Sequence, residues 1–192
     1  MQDLTTQNWV FIGIAVALAI LVIAAVWYAV ARKRTEHLRS HFGDEYDRAV
    51  SDYGDRTKAE RDLADRERRL SQLQIRPLTA QEQDRFHQEW QNVQARFVDQ
   101  PQQALSEADR LVTHVLRARG YPTDNFDDRV GALSAAYPSA IGSYRSACEI
   151  MSRQGRENLT TEDMRLAMIQ YRRLFEELFN DISGERPLRR VS

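Results

Sequence analysis

Residues 9–31 read WVFIGIAVALAILVIAAVWYAVA and carry no charged or strongly polar side chain. As an α-helix, this run is roughly 35 Å long, which is enough to cross a hydrocarbon core of about 30 Å with some tilt. A helix satisfies its backbone hydrogen bonds internally, as a membrane-spanning segment must. The rest of the chain is too polar to surround such a helix on all sides. The run therefore predicts a single transmembrane helix rather than a buried core helix.

Aromatic side chains stand at both ends of this run. Trp9 lies at its start, and Trp27 and Tyr28 lie near its end. Amphipathic rings prefer the headgroup level of a bilayer, so these three residues are predicted to sit at the membrane interfaces.

The charges that flank the run predict its orientation. Residues 1–8 contain no Lys or Arg, whereas Arg32, Lys33 and Arg34 follow the apolar run directly. The positive-inside rule then places residues 1–8 outside the cell and the rest of the chain in the cytoplasm. We therefore expect a single-pass protein of the inner (plasma) membrane, with residues 32–43 as its juxtamembrane segment.

Other interpretations of the N-terminal region remain open. Residues 29–31 (AVA) resemble a signal-peptidase site, although a basic n-region is missing and the apolar run is longer than a signal peptide requires. Gly13 and Ala17 are spaced for close packing of two helices, which would give a homo-oligomer. The basic residues after the run could also sense anionic lipid headgroups.

The remaining sequence has the composition of a polar helical domain. Charged residues make up 29% of the chain and nearly cancel, giving a net charge of −1, so no bulk charge favours nucleic acid. A single cysteine excludes an intrachain disulfide. Eight glycines and five prolines are few for 192 residues and favour long helices. The prediction is an all-α fold, a transmembrane helix followed by a soluble helical bundle over residues 44–180 and a flexible tail over 181–192.

Capping residues, glycines and prolines predict where each helix of the bundle begins and ends. Gly43 and Gly54 bracket a short helix, and Asp55 opens a highly charged one to about Leu73. Thr79 and Glu82 match a capping box. Further helices are predicted from Pro101 to Gly120, after an Asp124 N-cap, between Pro138 and Gly155, and from Thr160 or Thr161 to Asn180.

Few residues in the sequence are candidates for metal binding or catalysis. His37 and His41 are four residues apart on a predicted helix, which is a spacing that can bind a transition metal. Asp84 and His87 match half of a di-iron motif whose second half is missing from the sequence. Cys148 lies on an apolar helix face and behaves in such places as a small hydrophobe. The sequence therefore predicts no catalytic residue, no cofactor, and only this weak metal candidate.

Eight short segments after the apolar run carry a family resemblance. They are Phe42-Gly43-Asp44-Glu45-Tyr46-Asp47, Gly54-Asp55-Arg56, Arg76-Pro77-Leu78, Trp90 with Val93-Gln94, Arg96-Phe97-Val98-Asp99 with Pro101, Ala108-Asp109-Arg110-Leu111-Val112, Arg119-Gly120-Tyr121-Pro122 and Tyr171-Arg172 with Leu174-Phe175. Together these segments resemble a family of bacterial proteins of unassigned activity, which have one N-terminal membrane helix and a helical cytoplasmic domain. The resemblance implies a bacterial source and this architecture, and implies no chemistry.

These features favour one function over two alternatives. A membrane anchor, a balanced surface and few reactive groups predict an interaction or scaffolding module that binds a protein partner at the inner membrane face. An enzyme or metal-binding domain with an unrecognised site is one alternative, and a sensor of anionic lipid surfaces is the other.

Overall fold

The described part of the chain consists of α-helices, as the sequence predicts. The computed structural model describes residues 3–153 and 159–180, with side-chain surroundings for residues 16–153 and 159–179. Within these ranges there are eight α-helices and no strand. The helices are α1 (Asp3–Phe42), α2 (Asp44–Tyr53), α3 (Arg56–Gln72), α4 (Ala80–Phe97), α5 (Pro101–Arg119), α6 (Phe126–Ala136), α7 (Ile141–Arg153) and α8 (Thr161–Asn180).

The chain separates into two units between residues 41 and 42. The first unit is formed by α1, whose stretch Val16–Phe42 is the one described helix that is long and apolar enough to cross a membrane. The most apolar part of this stretch buries none of its residues within the protein. The predicted tail, residues 181–192, lies outside the described residues, and so do residues 1 and 2.

The main hydrophobic core of the second unit is built by α4 to α8, which we call the α4–α8 bundle. One face of α5 is buried here, against residues of α4, α7 and α8. Aromatic rings of α4 and α8 stack in this core, with Trp90 4.6 Å from Phe175 and Phe175 4.4 Å from the partly buried Phe179 between ring centroids. Stacked aromatic pairs contribute about 1 kcal/mol each beyond their burial.

The helix boundaries follow the predicted local signals. Thr79 and Glu82 form a complete capping box at the start of α4, which satisfies two backbone N–H groups that have no partner within the helix. Pro101 occupies the first turn of α5. Gly120 ends α5 at φ +92, and a Cβ there would lie 2.6 Å from the carbonyl oxygen of Gln74. Glycine is therefore required at this position for both its backbone conformation and its size.

One local prediction differs from the structure. The N-cap of α6 is Asn125, which accepts from the backbone N–H of Asp127, rather than Asp124. Both side chains can cap a helix, and spacing alone does not choose between neighbours. Phe126, the first residue of α6, is 44% exposed, whereas Val130 and Leu133 of the same helix are buried.

A smaller core lies between α2 and α3, which together form the α2–α3 hairpin. Its buried side chains Tyr46, Ala49, Ala59 and Leu63 do not belong to the core of the bundle. The hairpin contacts the bundle mainly through the pairing of α3 with α6. The second unit therefore contains two cores that meet along a seam, in which Leu70 and Leu73 pack against the bundle core beside polar contacts such as that of Arg66 with Ser134.

Arg119 is a second polar feature inside the bundle. Its side chain is buried at the end of α5, and Nη1 donates to the Tyr137 hydroxyl at 2.5 Å and to the Leu178 carbonyl at 2.9 Å. Its own carbonyl accepts from the N–H of Arg76 at 3.0 Å. Arg119 thus joins α5, the end of α6, α8 and the segment before α4, which gives its motif a structural role.

Candidate functional site

A charged groove separates the α2–α3 hairpin from the α4–α8 bundle. Its volume is about 1070 Å³, and both walls carry ionisable side chains. We call it the charged groove. The hairpin wall includes Arg48, Asp52, Asp62, Arg66 and Arg69. The bundle wall includes Asp109, Asp127, Asp128, Arg129, Arg145, Cys148, Glu149 and Tyr171.

A buried ion network closes one end of the seam beside the groove. The carboxylate of Glu45 is 4% exposed and accepts from Arg145 at 2.6 and 2.7 Å and from Arg66 at 3.1 Å. Arg66 also pairs with Asp62 at 2.6 Å and donates to the Ser134 hydroxyl at 3.2 Å. The network links α2, α3, α6 and α7, so it fixes the hairpin to the bundle. We assign the network a structural role because all its charged side chains are paired with one another.

Most charged side chains on the hairpin wall of the groove form ion pairs. Arg66 and Asp62 belong to the network, and Arg48 lies 3.7 Å from Asp52. Arg69 is the exception, since it is exposed and forms no ion pair with any residue in the described ranges. This wall therefore presents one uncompensated positive charge.

On the bundle wall, most of the charged side chains without an ion pair are carboxylates. Asp109, Asp127, Asp128 and Glu149 all line the groove, and none forms an ion pair within residues 3–153 and 159–180. One guanidinium on this wall, that of Arg129, is likewise without a carboxylate partner in the part of the chain described. Uncompensated negative charge therefore exceeds uncompensated positive charge on the bundle side.

The floor of the groove is a small polar cluster around Asp109. The Tyr171 hydroxyl donates to Asp109 Oδ1 at 2.8 Å, and Cys148 Sγ lies 3.9 Å from the same hydroxyl. Tyr144 is fully buried, and its hydroxyl interacts with the Cys148 thiol.

Burial governs the ionisation of this cluster. Desolvation raises the pKa of the Cys148 thiol, and the carboxylate of Asp109 raises it further. The pKa values of Tyr144 and Tyr171 are also raised, chiefly by burial. All three groups are therefore neutral at pH 7. A neutral thiol is a poor nucleophile, so the cluster is suited to binding rather than to covalent chemistry.

The histidine pair predicted as a weak metal candidate shares one face of α1. The rings of His37 and His41 are nearly parallel, with centroids 6.1 Å apart. Among the described residues, no three His, Cys, Asp or Glu side chains are grouped closely enough to hold a metal ion. Asp84 and His87 are both exposed on α4.

The predicted membrane-interface residues lie along α1. Trp27 and Tyr28 are exposed, and Lys33 and Arg34 are exposed one turn or more further on. Arg32 pairs with Glu36 at 2.9 Å. The side chain of Trp9 lies outside the described residues.

Sequence reasoning missed the groove and most of its residues. Asp109 stands within one of the segments that resemble the bacterial family, which was the available signal for it. Glu45 also lies in such a segment, but its partner Arg145 is 100 positions away in the sequence. Helical periodicity gives no information about pairs at that separation.

Comparisons with known proteins do not assign the chain to a group. No protein-family model matches the sequence. No curated protein and no solved structure is significantly similar to it.

Proposed function

We propose that this chain is a membrane-anchored adaptor, in which α1 crosses the bilayer once and the charged groove binds part of a protein partner. The observation that carries the proposal is the exposed apolar length of α1. Side chains such as Leu21, Ile23 and Val26 are 65%, 68% and 58% exposed, and none of them is buried by the described part of the chain. Burying each of them in lipid is worth about 1.5–3 kcal/mol. A bilayer is the surrounding that stabilises a helix of this kind.

The orientation of the proposed anchor rests on its flanking charges. Arg32, Lys33 and Arg34 follow the apolar run, and residues 1–8 contain no Lys or Arg. The positive-inside rule then assigns the second unit to the cytoplasmic side of the plasma membrane. A partner would accordingly be a cytosolic protein, a membrane protein with a cytosolic segment, or a second copy of this chain.

The character of the groove favours an adaptor over an enzyme. Its size suits a short protein segment, and its polar lining suits charged side chains. The most nucleophilic side-chain type present, the Cys148 thiol, is kept neutral by a raised pKa. The carboxylates of the bundle wall are available for ion pairs with a partner.

Topology is the first experiment. Reporters that are active on only one side of the membrane are fused after Ser192, and we expect activity on the cytoplasmic side. Replacing Arg32, Lys33 and Arg34 by Gln should reduce this preference. A reporter active only outside the cytoplasm would refute the proposed orientation. Recovery of the original protein, without substitutions, in the soluble fraction of the cell would refute the anchor.

Crosslinking in cells tests the adaptor role. A photoreactive amino acid at Arg69, on the groove, should give a discrete adduct with another protein. The matched control is Gln91, which is exposed on α4 and does not line the groove. A band at twice the chain mass from Arg69 would identify a second copy as the partner. The same adducts from both positions, or none from Arg69, would refute the role assigned to the groove.

A further inference from the structure

We propose that the charged groove recognises a lysine- or arginine-bearing segment of the partner protein, whose cationic side chain is received at Asp109. This inference rests on the adaptor role proposed above and adds the chemistry of the partner. It also predicts which face of the groove contributes the binding energy.

Charge complementarity is the first argument. Four carboxylates of the bundle wall lack an ion pair within the described ranges, namely Asp109, Asp127, Asp128 and Glu149. Only two guanidinium groups of the lining, Arg69 and Arg129, are uncompensated in the same part of the chain. A basic segment would balance the excess, whereas an acidic segment would add to it.

The position of Asp109 is the second argument. This carboxylate is half-buried at the floor, and one of its oxygens accepts from Tyr171. A half-buried carboxylate is solvated poorly, so an arriving ammonium or guanidinium would form a charge-assisted hydrogen bond there. Screening by salt is also weaker at such a depth than at the rim.

Aromatic rings at the rim fit the same occupant. Tyr53 and Phe126 both line the groove and are 46% and 44% exposed. The guanidinium of Arg129 already lies 5.8 Å from the centroid of Phe126. Exposed rings attract the aliphatic stems and the charged heads of lysine and arginine through packing and cation–π contacts.

Arg129 forms no ion pair with Asp109 in the described part of the chain. Its guanidinium is 5.9 Å from the Tyr144 ring centroid and donates weakly to the Thr123 carbonyl at 3.5 Å. Its positive charge acts on Tyr144 and Cys148, whose pKa values it lowers, while Asp109 keeps the capacity to pair with a partner cation.

The test uses the full-length chain in nanodiscs of zwitterionic phosphatidylcholine, so that a basic probe gains nothing from the lipid. The probe is a short fluorescent peptide in which arginines alternate with glycine and serine, and binding is followed by anisotropy. Matched peptides carry citrulline or glutamate in place of arginine. We expect the arginine peptide to bind, with an affinity that falls as salt rises, and the other two to bind at least about tenfold more weakly.

Two substitutions locate the binding on the bundle wall. Asp109→Asn keeps an oxygen that can accept from Tyr171, and Asp128→Asn removes a charge on the exposed start of α6. Each should weaken binding, by about tenfold for Asp109 and by less for Asp128. Asp84→Asn, on exposed α4 outside the groove, is the control and should change nothing. Circular dichroism confirms that each variant is folded.

Several results would overturn the inference. They are equal binding of the citrulline peptide, preference for the glutamate peptide, or binding that is insensitive to Asp109→Asn. Binding that appears only after Arg186, Arg189 and Arg190 are changed to Gln would make the chain's own basic residues the occupant instead of a partner. Crosslinks from Arg69 that persist in Asp109→Asn would leave the adaptor role intact and refute only the basic partner chemistry.

Discussion

Arg145→Met should destabilise the second unit by about 3 kcal/mol, because it leaves the buried carboxylate of Glu45 with one cation instead of two. The substitution removes the bonds at 2.6 and 2.7 Å and retains only the one from Arg66 at 3.1 Å. Charge-assisted hydrogen bonds are worth about 1.5–3 kcal/mol each. Because Arg145 is 18% exposed, water can replace part of what is lost, so the lower end applies.

A double substitution separates the loss of a favourable pair from the cost of an uncompensated charge. Changing Glu45→Leu together with Arg145→Met removes both charges, and Arg66 keeps its bond to Asp62 at 2.6 Å. Replacing a buried ion pair by apolar side chains is often neutral, so the double variant should lie within about 1.5 kcal/mol of the original protein.

The assay is urea unfolding of the full-length chain in detergent micelles, followed by circular dichroism. The matched control is Arg48→Met, which breaks the exposed Arg48–Asp52 pair, whose side chains are 53% and 68% exposed. We expect its effect to be below about 0.5 kcal/mol. If Arg145→Met behaved like this control, or if the double variant were as unstable as the single one, the interpretation of the network would be refuted.

Three further predictions concern other local features. Arg76 and the Thr79 N–H lower the pKa of Glu82 from 4.5 to about 2, so its contribution to stability is complete above about pH 4.5 and disappears as the pH falls toward 2. Glu82→Gln should therefore lower the melting temperature at pH 6 and have little effect near pH 2. Gly120→Ala should cost about 3 kcal/mol in urea unfolding, against about 1 kcal/mol for Gly54→Ala, because both glycines have positive φ but only Gly120 would bring its Cβ against another chain segment. Burial raises the pKa of Cys148, so iodoacetamide at pH 7.5 should modify it at least about tenfold more slowly than it modifies glutathione, as measured by mass spectrometry.

Each of these three predictions would be contradicted by a specific result. Equal effects of Glu82→Gln at both pH values would refute the assigned ion pair and cap. Equal costs for the two glycine variants would show that the approach to Gln74 relaxes freely. Fast alkylation of Cys148 would indicate an exposed, activated thiol and would strengthen the enzymatic alternative.

The helices could be predicted because their signals are local. Gly54 and Gly120 both end helices in the left-handed conformation, and Thr79 caps α4 as its spacing to Glu82 indicates. Such signals act within four residues, which is the range over which a helix makes its own hydrogen bonds. The sequence therefore predicts most boundaries to within a residue or two.

The candidate site could not be predicted in the same way. Asp109 and Tyr171 are separated by 62 positions, and each is compatible with an ordinary helix surface or core position. Their meeting at a groove floor depends on how α5 and α8 pack. Arg119 shows the same limit, since an arginine in a last helical turn is expected at the surface, where it favours the helix dipole. Its burial depends on Tyr137 and Leu178, which are distant in sequence.

The separation of 100 positions between Glu45 and Arg145 has a consequence for biosynthesis. On a ribosome the hairpin emerges early, but the arginine that completes its seam is translated much later. Until then Glu45 has only Arg66 as a partner, and α3 has no α6 to pack against until residues 126–136 have been made. Domains fold as units once their distant contacts become available. The nascent chain should therefore expose the hairpin's side of the seam to chaperones until α7 has been synthesised, and ribosome-bound chains halted before residue 145 should be more sensitive to protease than chains halted after α8.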